Sequence, residues 1–149
     1  MVLAMRCTFC DAETVKNQEI SVLGTVRVIY PRRPIIPASV LITPVRCVEH
    51  VHDLTEEEVR DVFRAAKKLH GAFTHLYATT GYNMFVNDGV SAGQHVPHVH
   101  FHFYGRSADE SLNPFTILND REKYDARPAM PESEHTAHIQ NIREALQNI

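Results

Sequence analysis

The sequence predicts a single domain that combines β-strands with one long amphipathic helix. Three observations support this prediction: runs of β-branched residues between prolines, apolar residues at helical spacing after a threonine and three glutamates, and histidines that alternate with apolar residues. The chain has 149 residues, of which 44% are hydrophobic. That length suffices to bury one core but leaves no room for a second full domain.

Strands are expected in the first third of the chain, after a turn or knuckle and a polar loop over residues 1–19. Residues 22–30 are rich in β-branched side chains and are predicted to form one strand. A second apolar run, residues 38–44, follows a segment with prolines at both ends. This run is predicted to form the partner strand.

A long helix is predicted next. Thr55 and Glu58 have the spacing of a capping box, in which the threonine side chain accepts from the Glu58 amide while the glutamate reaches back. Apolar residues then recur every three or four positions, which places them on one helix face toward a core until Thr80 and Gly81 end the helix. The predicted core stripe consists of Val59, Val62, Phe63, Ala66, Leu69, Phe73 and Leu76.

The remaining elements are shorter. A strand over residues 82–86, a turn and a glycine-containing loop lead to a strand over residues 96–104. Residues 107–131 are polar and interrupted by prolines, and Ser133 is predicted to cap a last helix. The apolar face of that helix is predicted to hold Ile139, Ile142, Leu146 and Ile149.

Composition limits the functions that the chain can have. The formal net charge of −3 provides no basic field for nonspecific nucleic-acid binding, so any nucleotide must be held by a local site. No apolar run is long enough for a membrane span, and the first residues carry Arg6 and cysteines instead of an apolar signal core, which favours a cytoplasmic protein. Three cysteines cannot all pair with one another, so thiol or metal chemistry is expected rather than a disulfide scaffold.

The histidine run carries the strongest functional signal. His98, His100 and His102 have a period of two, which places all three on one face of a regular strand. A polar face without function and a metal site are the two alternatives to catalysis. A regular strand separates the outer pair by roughly 13 Å, so the three rings cannot share one ion. We favour covalent catalysis, because a neutral imidazole can attack phosphorus while neighbouring histidines and amides hold the phosphate oxygens.

The sequence of this region resembles the signature of the histidine triad (HIT) family, in which three histidines alternate with apolar residues. Residues 93–104 are Gly-Gln-His-Val-Pro-His-Val-His-Phe-His-Phe-Tyr and follow an Asn-Asp-Gly turn at 87–89. Residues 37–44 and 48–59 resemble the family's strand and acidic helix start, so the resemblance covers about residues 22–106. It is closest to the fragile-histidine-triad branch of dinucleoside polyphosphate hydrolases.

This resemblance implies an α+β fold with an antiparallel sheet of about five strands, a long packed helix and usually a homodimer. We therefore predict one HIT domain over residues 1–149. It would consist of an N-terminal knuckle at 7–10, the catalytic strand at 96–104, and a C-terminal tail and helix at 107–149. The tail is expected to shape the purine end of the pocket in the dimer.

The resemblance also implies residue roles. His100 aligns with a nucleophile that forms a nucleotidyl-histidine intermediate, which water resolves to hydrolyse a phosphoanhydride or phosphoramidate of a nucleoside phosphate. His102 aligns with an α-phosphate contact. Asn87 and Gln94 align with nucleotide and phosphate contacts, and His95 is expected to join them. Two alternatives stay open: nucleotidyl transfer to another acceptor, and a nucleotide-binding interaction protein with little turnover.

The cysteines suggest a separate site. Cys7 and Cys10 supply two ligands, which do not complete a tetrahedral zinc site. Many HIT relatives with such a pair resemble the galactose-1-phosphate uridylyltransferases and add two ligands, at positions that align with Cys47 and His98. The resemblance thus implies a structural zinc site of three cysteines and one histidine that fixes the knuckle to the catalytic strand. The alternative is three reduced cysteines without an ion.

Overall fold

A five-stranded sheet forms the centre of the computed structural model, which describes residues 7–149. The strands are β1 (Glu19–Leu23), β2 (Val26–Ile29), β3 (Ser39–Pro44), β4 (Gly81–Val86) and β5 (Phe101–Arg106). Their order across the sheet is β1-β2-β3-β5-β4, and every neighbouring pair is antiparallel. The predicted antiparallel sheet is confirmed. Arg6, one of the residues that indicated no signal core, lies outside the described residues.

Two long helices pack on one face of this sheet. The helices are α1 (Ala12–Gln18), α2 (Glu56–Tyr77), α3 (Pro114–Leu118), α4 (Arg121–Ala126) and α5 (Glu132–Gln147). Side chains of α2 and α5 join those of the sheet in one apolar core, which confirms the α+β fold with a long packed helix and a C-terminal helix. No helix within residues 7–149 is long and apolar enough to cross a membrane.

The first predicted strand, residues 22–30, is in fact two strands. Gly24, with a φ of 64°, turns the chain between β1 and β2. Thr25 then donates from both its amide and its hydroxyl to Asp61 Oδ2 of α2, each at 2.9 Å. The continuous β-branched composition hid this turn, because one glycine is its only local signal.

The predicted capping box is present at the start of α2. Thr55 Oγ1 accepts from the Glu58 amide at 3.1 Å, and the Thr55 amide donates to Glu58 Oε2 at 2.8 Å. A cap of this kind stabilises a helix by about 1 kcal/mol. The helix ends at Tyr77, before the predicted stop at residues 80–81, because Ala78 adopts a left-handed conformation with a φ of 52°.

The core face of α2 is narrower than the predicted stripe. Its buried apolar residues are Val62, Ala65, Ala66, Leu69, Ala72 and Phe73. Val59 and Phe63, which the spacing placed in the stripe, are 40% and 57% exposed, so that prediction is wrong for both. They lie one turn apart at the edge of the helix face, while small alanines face the core in their place. An apolar surface therefore remains on the outside of α2.

Three polar segments hold short helices where the sequence indicated loops. Each of α1, α3 and α4 begins behind an acidic or amide side chain that accepts from the first amides of the helix. These capping residues are Asp11, Asn113 and Asp120. The helices have seven residues or fewer and show no apolar stripe, so periodicity could not reveal them.

The last helix starts differently from the prediction. Pro131, and not Ser133, occupies the cap position of α5, and no side chain caps it. The fixed φ of proline can start a helix without a capping side chain. The buried apolar residues include the predicted Ile139, Ile142 and Leu146. Ile149 is 55% exposed, because the helix that carries the stripe ends at Gln147.

The predicted catalytic strand begins later than expected, at Phe101 instead of residue 96. Pro97 has no amide to donate to a ladder, and the Val99 amide donates outside the sheet, to the Val48 carbonyl at 2.7 Å. The first two histidines of the run therefore lie on an irregular segment, and only the third belongs to the strand. Irregular backbone allows neighbouring histidines to face different surroundings.

Candidate active site and metal centre

A cavity of about 560 Å³ adjoins β5 and the segment before it. Phe103 of β5 lies in the core beneath α2 and α5, and its neighbour His102 lines the cavity. Because adjacent strand residues face opposite sides of a sheet, the cavity lies on the sheet face away from α2 and α5. Its basic lining residues are Arg33, His95, His100, His102 and Arg121, and no acidic side chain lines it within residues 7–149. Apolar and aromatic side chains complete the wall. The cavity therefore suits an anion attached to an aromatic or apolar group.

His100 is 8% exposed and lines this cavity. Its Nδ1 lies 2.8 Å from the His98 carbonyl oxygen. A carbonyl only accepts, so Nδ1 carries the ring proton and Nε2 keeps its lone pair. Burial lowers the pKa of His100, the bond to the His98 carbonyl opposes that shift, and the charge of His95 lowers the pKa further. The result is a neutral imidazole with an unprotonated Nε2, the form that a nucleophile needs.

His102 lies beside His100, with ring centroids 5.2 Å apart. Its ring stacks on Phe85 at 4.7 Å with an interplanar angle of 11°. Burial lowers the pKa of His102 to about 4, with a smaller contribution from the repulsion between His102 and His100 when both are protonated. Since the stack fixes the ring and no side chain or carbonyl within residues 7–149 bonds to it, its nitrogens are available to a ligand.

Two of the predicted contact residues also line the cavity. Asn87 follows β4, and His95 precedes the histidine run on an exposed loop. Arg121 Nη1 lies 3.2 Å from His95 Nε2, and because arginine only donates, the imidazole nitrogen is the acceptor. The structure therefore brings Asn87, His95, His100 and His102 to one cavity.

Gln94 has a different position from its predicted partners. It is 9% exposed, and its side chain bonds to backbone groups of its own loop and of the loop after β3. Its Oε1 accepts from the Gly89 amide at 2.7 Å, and its Nε2 donates to the Glu49 carbonyl at 3.0 Å and the Val96 carbonyl at 3.1 Å. These bonds use the amide group for holding the loop, so a phosphate contact from this side chain stays a prediction.

An ion pair that the sequence did not indicate joins the same loops. Asp88 accepts from the Val51 amide at 2.8 Å and lies 2.7 Å from His50 Nδ1. This hydrogen bond raises the pKa of His50, and it lowers the pKa of Asp88, with a further contribution from the Val51 amide. Residues so far apart in sequence gave no local signal beyond an aspartate in a turn.

The segment after β5 forms one wall of the cavity. The sequence predicts that this tail shapes the purine end of the pocket in a dimer. In the structure, α3 and α4 close this cavity within the same chain. The ring centroid of Phe115 in α3 lies 5.7 Å from that of Phe85 and 6.0 Å from that of Tyr104. Phe115 thus extends the aromatic surface that begins at His102. The lining residues from this segment are Phe115, Leu118, Asn119, Arg121 and Tyr124.

The four predicted zinc ligands lie together. One ligand atom from each of Cys7, Cys10, Cys47 and His98 lies within 4.8 Å of all the others. His98 Nε2 lies 2.9 Å from the Pro44 carbonyl and so carries the proton, which leaves Nδ1 facing the sulfurs of Cys7 at 3.1 Å and Cys10 at 3.4 Å. Three sulfurs and one imidazole nitrogen form a common tetrahedral zinc set. The donor types and their arrangement fit that ion.

The cysteine cluster and the cavity share a boundary. Phe9 lies between the two cysteines of the knuckle and contacts the rings of His98 and His100 edge-on, with ring centroids 5.8 Å and 5.0 Å apart. The His98 carbonyl orients His100, while the His98 ring faces the cysteines. The cluster is therefore built to hold the backbone that positions the ring beside the cavity.

The fold and the site define a class of protein: an α+β domain that presents a neutral histidine to a cavity with a basic lining, beside a cluster of cysteines and histidine that fits zinc. Residues 15–109 match the model of the HIT domain. The chain belongs to the HIT domain family.

Named relatives agree with this membership. The chain is 38% identical over 92 residues to the bis(5'-nucleosyl)-tetraphosphatase (asymmetrical) of Schizosaccharomyces pombe, an alignment that covers 61% of the chain and 50% of the relative. It is 35% identical over 91 residues to the bis(5'-adenosyl)-triphosphatase of Dictyostelium discoideum, with 61% of each covered. The chain thus spans between half and about three fifths of the length of these relatives.

A solved structure shares the fold over almost the whole chain. The crystal structure of a Zn-bound histidine triad family protein from Mycobacterium smegmatis superposes with a TM-score of 0.72 at 23% identity. The superposition covers 97% of the chain and 95% of that protein. The two proteins therefore share the overall fold.

Proposed function

We propose that this protein hydrolyses a phosphoanhydride or phosphoramidate bond of a nucleoside phosphate, with His100 as the nucleophile. The observation that carries the proposal is the hydrogen bond from His100 Nδ1 to the His98 carbonyl, which leaves Nε2 unprotonated beside a basic cavity. The names of the relatives, a bis(5'-nucleosyl)-tetraphosphatase and a bis(5'-adenosyl)-triphosphatase, support dinucleoside polyphosphates as the substrate class.

In the proposed reaction, His100 Nε2 attacks the α-phosphorus and a nitrogen–phosphorus bond forms. The bond from phosphorus to the leaving group breaks, and the leaving group keeps the electron pair; a phosphate leaves as an anion, whereas the amine of a phosphoramidate takes up a proton from solvent. The His98 carbonyl stabilises the resulting charge on the imidazole, because it accepts from Nδ1. Water then attacks the phosphorus and releases a proton to solvent, the nitrogen–phosphorus bond breaks with its electron pair returning to Nε2, and a nucleoside monophosphate leaves.

The remaining predicted site residues have supporting roles in this proposal. His102, fixed against Phe85, would donate to an α-phosphate oxygen, and Asn87 would contact the nucleotide. Gln94 would act mainly through the loop that its hydrogen bonds hold, and His95 would contact the part of the substrate beyond the α-phosphate.

Cys7, Cys10, Cys47 and His98 would hold a structural zinc ion. Bound there, zinc would cross-link the knuckle to the segment before β5 and so fix the position of the His98 carbonyl. A site of three thiolates suits a reducing compartment. The cytoplasmic location expected from the sequence stays a prediction.

We also propose that the chain forms a homodimer through one side of the sheet. The strand β4 is at the sheet edge, and Tyr82 on it is 42% exposed. Phe63 and Val59 form an exposed apolar surface on α2, which packs against β4. An unpaired strand beside exposed apolar side chains is typical of an association surface.

The test of the proposed function is release of nucleoside monophosphate from diadenosine triphosphate and from an adenosine phosphoramidate. We expect His100→Ala to lower kcat/KM by about a thousandfold or more on both substrates. His75→Ala, an exposed histidine of α2 away from the cavity, is the matched control and should retain activity. Unaltered release by His100→Ala would refute the nucleophile.

A further inference from the structure

The cavity wall formed by α3 and α4 lies outside the matched HIT domain. That domain ends at residue 109, whereas Arg121 and Tyr124 of α4 and Phe115 of α3 still line the cavity. The chemistry beside His100 therefore belongs to the matched domain, and the far wall comes from a segment beyond it. A wall of this kind is where substrate selection can differ between relatives that share one reaction.

Arg121 is the cationic residue of this wall. Its Nε donates to Asp125 Oδ2 at 2.8 Å, its Nη1 donates to His95 Nε2 at 3.2 Å, and its guanidinium lies 5.8 Å from the centre of the Tyr124 ring. A guanidinium has five N–H donors, so the two hydrogen bonds leave most of its donors free. The three contacts orient a side chain that otherwise remains 65% exposed.

The charges around Arg121 favour an anion. Arg33, on the segment between β2 and β3, is the second guanidinium that lines the cavity. The acidic neighbours of α4 lie outside the lining: Asp125 binds Arg121 Nε, and Asp120 pairs with Lys123 at 3.2 Å. His95 connects Arg121 to the loop that leads into His100. The cavity thus continues from the buried His100 and the half-buried His102 to a second basic region.

We propose that Arg121, held by His95, binds the distal phosphates of a polyphosphate leaving group and determines the specificity of the chain. This inference rests on the proposed reaction at His100. With the α-phosphate at His100 and His102, a leaving group that continues into further phosphates reaches the second basic region. Guanidinium groups bind phosphate through paired, charge-assisted hydrogen bonds, and a positive group there stabilises the negative charge that the leaving phosphate gains as its bond breaks. Substrates with an uncharged leaving group gain nothing from Arg121.

The experiment compares two substrates that share the adenylyl group. Values of kcat/KM are measured on diadenosine triphosphate and on an adenosine phosphoramidate with an uncharged amine leaving group. We expect Arg121→Ala to lower the value for the triphosphate by roughly tenfold or more and to leave the value for the phosphoramidate within about twofold. Lys123→Ala, on the outer side of the same helix, is the matched control and should change neither.

Equal loss on both substrates would show that Arg121 only supports the wall, and no loss on either would show that it binds nothing; both outcomes overturn the inference. If the unsubstituted chain cleaves neither substrate, the proposed function fails, and calorimetric binding tests the inference instead. Arg121→Ala must then weaken binding of diadenosine triphosphate but not of AMP. Equal affinities of the chain and the variant for the triphosphate, or no binding at all, would refute it.

Discussion

Two backbone carbonyls give neighbouring histidines opposite tautomers. The Pro44 carbonyl accepts from His98 Nε2, which leaves Nδ1 for the sulfurs of the cluster. The His98 carbonyl accepts from His100 Nδ1, which leaves Nε2 for the cavity. Each ring thereby keeps one nitrogen unprotonated for its proposed role, ligation by His98 or attack by His100, without a carboxylate partner.

The ion pair of His50 and Asp88 makes the contact between two site loops depend on pH. The pair raises the pKa of His50, so its stabilisation is present below the ordinary histidine value and is lost as pH rises through the raised value. It lowers the pKa of Asp88, so the stabilisation is present above the ordinary aspartate value and is lost as pH falls through the lowered one. We expect the full effect between about pH 4 and 6.5.

Melting temperatures of the unsubstituted chain and of Asp88→Asn, measured across this range and up to alkaline pH, check this expectation. The unsubstituted chain should melt a few degrees above the variant near pH 6, and the difference should shrink as His50 deprotonates. Asp53→Asn removes an equally charged but 57% exposed side chain and serves as control. If the melting temperatures of the unsubstituted chain and of Asp88→Asn differed by the same amount at every pH, the pair would not have this role.

At the residue scale, the sequence located the histidines of the candidate site but not the groups that hold them. The run and its resemblance placed His98, His100 and His102 in separate proposed roles, and the structure gives the three rings different surroundings. The tautomers could not be predicted, because both acceptors are backbone carbonyls: that of Pro44 at the end of β3, and that of His98 on the irregular segment for which the alternating pattern predicts a strand. The bonds of Gln94 were hidden for the same reason, since all its partners are backbone groups.

At the scale of elements, the knuckle at residues 7–10 is the part of the chain that the proposed zinc ion would stabilise most directly. Its turn at Thr8–Cys10 is short, and it is held by the buried Phe9 side chain, by the cysteine cluster and by a hydrogen bond from Arg27 Nη1 to the Phe9 carbonyl at 2.9 Å. Short elements of this kind gain little from their own hydrogen bonds, so a metal can dominate their stability. The same anchor fixes the carbonyl that orients His100.

Removal of zinc is therefore expected to destabilise the chain. Untagged protein should contain on the order of one zinc ion per chain. Chelation should lower the melting temperature by roughly 10 °C or more, and added zinc should restore it. Cys47→Ala and Cys7→Ala should lose the metal, whereas Thr8→Ala, an exposed residue of the same turn, should retain it. No zinc in untagged protein, or equal zinc in the cysteine variants, would remove the site.

Elements with a long-range pattern were predictable and those without one were not. In α2, apolar residues recur at helical spacing over several turns, and β2 and β3 lie in runs of mostly apolar residues. The turn at Gly24 depends on one residue, and α3 and α4 on one capping side chain each. The wall of the cavity belongs to this second group, which is why residues such as Arg121 and Phe115 gave no signal as site residues.

At the scale of the whole molecule, the sheet lies between the apolar core and the candidate active site. One face carries α2, α5 and the apolar core, and the other carries the cavity. The sheet has two edges: β1 and β4 each have one unpaired side within the described chain, and β4 packs against α2, the helix that carries the exposed Val59 and Phe63. The edge at β4 is therefore the expected position of the partner.

Sedimentation of the unsubstituted chain should give the mass of a dimer. We expect Phe63→Asp to produce monomers, because a buried carboxylate in an apolar interface costs several kcal/mol. Val22→Asp introduces the same charge at a residue that is 47% exposed at the opposite edge, on β1, and should leave the dimer intact. A monomeric unsubstituted chain, or a dimer that tolerates Phe63→Asp, would refute this interface.

The central claim, attack by His100 on phosphorus, is tested most directly by the stereochemistry of the reaction. Hydrolysis of a substrate with a chiral α-phosphorothioate, carried out in isotopically labelled water, reports how many displacements occur at phosphorus. A nucleotidyl-histidine intermediate requires two displacements, each with inversion, so the product should retain the configuration of the substrate. Net inversion would mean that water attacks directly, and His100 would then not be the nucleophile.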